Sequence, residues 1–68
     1  MVHSIFVRDL GHFGGRNPQM IACDIYSRAD AETMVRNIAT AYREHGLNPA
    51  TNVYWFNYNG SVHEIYVE

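Results

Sequence analysis

Few side chains in this chain can do chemistry: four histidines, one cysteine, seven carboxylates and five arginines, with no lysine. Histidine, cysteine and carboxylate are zinc ligands, yet metal sites announce themselves by short ligand spacings, and His3, His12, Cys23, His45 and His63 stand singly along the chain. No metal and no cofactor is expected. The missing lysine removes Schiff-base, pyridoxal-phosphate and P-loop chemistries, which need its amine. Cys23 alternates with Ile21 and Ile25, the place of a small buried hydrophobe rather than of a thiolate nucleophile. The densest cluster is Gly11-His12-Phe13-Gly14-Gly15-Arg16-Asn17-Pro18, preceded by Asp9. Its glycines could turn several backbone N–H groups toward an anion, but the spacing fits neither dinucleotide nor P-loop patterns, and the segment joins two strands instead of opening a helix. It reads as a hairpin loop, with His12, Phe13 and Arg16 as residues that contact a partner. A small enzyme site at this loop is the alternative, and catalytic residues are otherwise expected to be none.

Composition bounds the scaffold that must carry these residues. Sixty-eight residues with 47% hydrophobic content make one compact domain, 1–68, that folds rather than stays disordered. A domain of this length buries only about 60% of the surface of its unfolded chain, so a partner surface would add to a thin stability margin. No apolar run approaches a membrane span and no leader pattern opens the chain, so a cytoplasmic protein without a membrane partner is expected. A lone cysteine forms no internal disulfide. A net charge of −2 makes nucleic acid an unfavoured partner.

The periodicity predicts α+β architecture in β-β-α-β-β order: a single four-stranded, mainly antiparallel sheet with one helix packed on one face. Ile5 and Val7 alternate with Ser4, Phe6 and Arg8 in a first strand, and Ile21, Cys23 and Ile25 alternate with Met20, Ala22, Asp24 and Tyr26 in a second. From Ser27 the period becomes helical. Ser27 or Asp30 caps a helix over about 28–45, with Glu32 and Arg36 as an i,i+4 pair and His45 in its last turn. Gly46 is expected to end that helix in the left-handed conformation, with Pro49 preventing a restart. Asn59-Gly60 between two alternating runs predicts a type I′ hairpin with Tyr58 opposite Ser61, Phe56 opposite His63 and Tyr54 opposite Ile65.

One helix covers one face of a sheet, so the other face requires an occupant. The set richest in β-branched residues, Ile5, Val7, Ile21, Cys23, Ile25, Tyr54, Phe56, Ile65 and Val67, is expected under the helix. That leaves Phe6, Met20, Tyr26, Val53, Trp55 and Tyr66 as an interface on the opposite face, with Val62 beside them. Aromatic and methionine side chains are enriched where proteins touch. The expected function is a non-enzymatic protein-binding or regulatory module, a homodimer through this face or a binder of another protein, in which Trp55→Ala costs association more than fold. The chain has the size of accessory regulators and inhibitors encoded by phages and mobile elements. Aromatics on an open sheet also stack single-stranded bases, which makes single-stranded nucleic-acid binding an alternative, opposed by Asp24, Glu64 and Glu68 on the same face.

Overall fold

The computed structural model describes residues 1–11 and 18–68. The elements run β1 (His3–Asp9), β2 (Gln19–Ile25), α1 (Arg28–Thr40), β3 (His45–Asn48), β4 (Val53–Tyr58) and β5 (Ser61–Val67). The sheet therefore has five strands and not the four that periodicity predicts. All neighbours are antiparallel, in the order β2-β1-β5-β4-β3. The segments at the two ends of the chain, β1 and β5, meet at the sheet centre.

The extra strand comes from the segment expected to finish the helix. α1 starts as the cap chemistry requires, with the Asp30 amide donating to Ser27 Oγ at 3.2 Å. It stops five residues early. The amides of Ala41 and Tyr42 close the last turn onto the carbonyls of Ile38 and Ala39, and His45 Nδ1 lies 2.8 Å from the Tyr42 carbonyl oxygen. Gly46 is not a left-handed cap; it pairs with Trp55 inside β3. A Cβ built there would meet the Trp55 indole at 2.8 Å, so the need for glycine comes from a side chain on the neighbouring strand. The polar pair on the first helical turns is Arg28–Glu32, 3.3 Å apart.

A second departure lies in β2. One residue of β1 between His3 and Ile5, Ser4, is matched by two of β2 between Ile25 and Ala22, Asp24 and Cys23, and a second offset separates the Ile5–Ala22 and Phe6–Met20 pairs. These are bulges, and Asp24 takes φ +59 within the first. Each extra residue inverts the alternation. Ala22 and Ile25 therefore pack on the core, whereas Ile21 and Cys23, expected beneath the helix, are exposed.

The core lies where α1 crosses β1, β5 and β4: Ile5, Ala31, Val35, Ala39, Phe56 and Ile65 are buried. Ala31 and Ala39 sit one turn either side of Val35, so the helix backbone approaches the sheet closely while Val35 fills the gap between Ile5 and Ile65. Full burial of an isoleucine contributes about 1.5–3 kcal/mol. The Asn59-Gly60 turn forms with φ +55 and +82, and the β4–β5 register is the one expected, Tyr58–Ser61 through Tyr54–Ile65. No helix among the described residues is long and apolar enough to cross a membrane.

Candidate functional site

Because β1, β4 and β5 alternate strictly, every residue between two core positions is delivered to the face opposite α1. Two rows cross that face. One runs Gly46, Trp55, Glu64, Arg8 from β3 to β1; the other runs Tyr66, Phe6, Met20 from β5 to β2. Phe6 and Tyr66, directly opposed, stack with centroids 6.0 Å apart and planes 20° from parallel. Trp55 lies across Gly46, which leaves its indole half-buried and flat on the sheet. Met20 is 55% exposed and Val62 39%, with Ile21 47% exposed in the bulge beside Met20.

Charge on this face is internally matched. The Arg8 guanidinium bonds the Glu64 carboxylate, neighbours in the β1–β5 register. That hydrogen bond and the Glu64 charge raise the Arg8 pKa further above its ordinary value, so the cation persists at any working pH. The two rows thus hold one positive and one negative group side by side among Phe6, Met20, Trp55 and Tyr66, with Asn57 and Glu68 as further polar residues that alternation puts on this face.

Of the six residues expected at an interface, the structure places Phe6, Met20, Trp55 and Tyr66 on these two rows. Val53 lies at the start of β4, opposite Asn48. Tyr26 lies beyond the end of β2, next to the helix cap, and is 81% exposed. His12, Phe13 and Arg16 lie outside the described residues. Sequence alternation missed Gly46 and Ile21, the first because it reads as a helix stop and the second because a bulge has no sequence signature of its own.

The helix side of the sheet holds the titratable pair. His63 stacks on Phe56, which stacks on Tyr42 with centroids 4.1 Å apart, and Tyr58 meets both Tyr42 and His63 edge-on. His63 Nδ1 is 3.0 Å from the Ser61 carbonyl oxygen, an acceptor only, so Nδ1 carries the proton and donates it. Nε2 lies 3.7 Å from Asp9 Oδ2, an ion pair when the ring is doubly protonated, and Asp9 Oδ1 accepts the Gly11 amide at 2.8 Å. Both ring nitrogens thus face oxygens with no proton to give up. The arrangement ties the end of β1 to β5. Among the described residues no three His, Cys, Asp or Glu side chains are grouped to hold a metal. Comparison with protein families, with curated proteins and with solved structures finds nothing that matches this chain.

Proposed function

We propose that this protein is a non-catalytic binding module that works as a homodimer, two copies stacking through the sheet face that carries Phe6, Met20, Trp55 and Tyr66. The observation that carries the reading is the paired Arg8–Glu64 charge set among exposed apolar side chains. A surface with one cation and one anion adjacent is complementary to its own copy rotated about a two-fold axis, where each Arg8 can reach the partner's carboxylate. A nucleic-acid strand would instead need unneutralised cations on that face, and Arg8 is already engaged.

The sheet edges favour the same conclusion. One edge, β2, is bulged twice, and the other, β3, has four residues followed by Pro49. Both are devices that discourage edge-to-edge pairing, which leaves the face as the surface where copies meet.

Trp55 reports the association directly, because it is the sole tryptophan and lies on the proposed contact. On dilution from millimolar to nanomolar protein its emission is expected to move to longer wavelength in one concentration-dependent transition, as stacking gives way to water. Emission that stays constant over that range, with a monomer mass throughout, would overturn the proposal.

A further inference from the structure

The β4–β5 ladder ends before its strands do. Pairing stops at Tyr54–Ile65, although β5 continues to Val67 alongside β1. Asn52, which that register would bring opposite Val67, turns away with φ +59 and donates its amide to the Asn48 carbonyl at 2.7 Å. The strands therefore part beneath the first half of α1. Between them and the helix opens a groove of about 590 Å³, within the size range of small-molecule sites.

Its walls differ in character. Its accessible apolar part is Val53, Tyr54 and Val67, with the buried Val35 and Ile65 behind them, and the rest of the lining is polar. The charged residues that line it are Arg28, Glu32 and Arg36, all on α1. Glu32 is bound to Arg28, whereas the Arg36 guanidinium makes no hydrogen bond or ion pair with any described residue. In antiparallel alternation the Val67 N–H points toward β4, the side that Asn52 has vacated. A spare guanidinium, a backbone donor and a small apolar strip line one space.

We propose that this groove binds a small organic carboxylate with a short apolar tail, its head on Arg36 and its tail over Tyr54 and Val67. Guanidinium favours carboxylate because two parallel N–H donors match its two oxygens. The net positive rim disfavours a cation, and Tyr54 and Val67 give a short aliphatic chain apolar contacts that acetate would leave unused. Arg36, Tyr54 and Val67 belong to the helix side of the sheet, and of the four residues proposed for the dimer face only Tyr66 also lines the groove.

The test is titration of the ¹⁵N-labelled full chain with octanoate, octanol and acetate as probes, followed by amide shifts. Octanoate is expected to shift residues 51–54 and 65–67 saturably, with octanol and acetate each at least ~10-fold weaker, and Arg36→Gln to weaken octanoate by ~10-fold or more. Arg36 is exposed, and an unchanged circular dichroism spectrum certifies that the variant is folded. Octanol binding as tightly as octanoate, an unaffected Arg36→Gln, shifts centred on Phe6, Met20 and Trp55, or no saturable shift at all would each overturn the proposal.

Discussion

Gly46→Ala is expected to destabilise the wild-type protein and to stabilise a protein that lacks the Trp55 ring. The backbone at Gly46 is not among the positive-φ residues, so alanine meets no conformational strain there. Its Cβ would lie 2.8 Å from three atoms of the indole, where ordinary contact begins at 3.4 Å, so the ring must withdraw by about 0.6 Å. Overpacking of this kind costs about 1–3 kcal/mol. When Trp55 is alanine the clash is gone, and what remains is the lower entropy of the unfolded chain when glycine is replaced, a gain of about 0.4–1 kcal/mol. The sign of the Gly46→Ala effect therefore reverses between the two backgrounds, with a coupling on the order of 2 kcal/mol. Urea unfolding of the four proteins, followed by far-ultraviolet circular dichroism because Trp55 itself is varied, measures it. An equal cost for Gly46→Ala in both backgrounds would refute the placement of the indole over the glycine. The same coupling explains why Trp55→Ala is a poor probe of association on its own: it disturbs packing between β3 and β4 as well as the face.

Two further variants test the frame that presents that face. Ile65→Val removes one methyl from a fully buried side chain and is expected to cost about 0.5–1.5 kcal/mol in urea unfolding; no measurable change would contradict the position of Ile65 at the centre of the core. Gly60→Ala meets no neighbouring atom, so its whole effect is that of a non-glycine residue at φ +82, about 1–2 kcal/mol, and a neutral result would contradict the turn type.

What could be read from the sequence was whatever local chemistry determines. Asn59-Gly60 dictates a turn whose handedness suits a hairpin, and the turn sets which residues of β4 and β5 face each other, down to Phe56 opposite His63. Ser27 marks the helix start because a cap acts within one turn. Non-local causes were not legible. The helix ends early because residues 45–48 gain a ladder to β4, a partner that no window around Gly46 contains, and the glycine that looks like a cap is required by an indole nine residues away in sequence. β2 deceived for a different reason. Strict alternation puts Ile21 and Cys23 inside, but two bulges exchange them for Ala22, and an aspartate at positive φ has no periodic signature. The open-face residues Phe6, Trp55 and Tyr66 could be picked out because β1, β4 and β5 do alternate, whereas the groove under α1 exists only where two strands part company.

The most direct test of the account is the solution mass of the protein by light scattering over a concentration series, beside Met20→Glu and Val62→Glu. Both side chains are exposed on the face opposite the helix, so a glutamate at either position leaves the core intact while adding charge to the contact. The wild type is expected at twice the 7.8 kDa chain mass and each variant at the chain mass, with unchanged circular dichroism. A wild-type monomer at millimolar concentration, or variants that dimerise as well as the wild type, would contradict association through the sheet face.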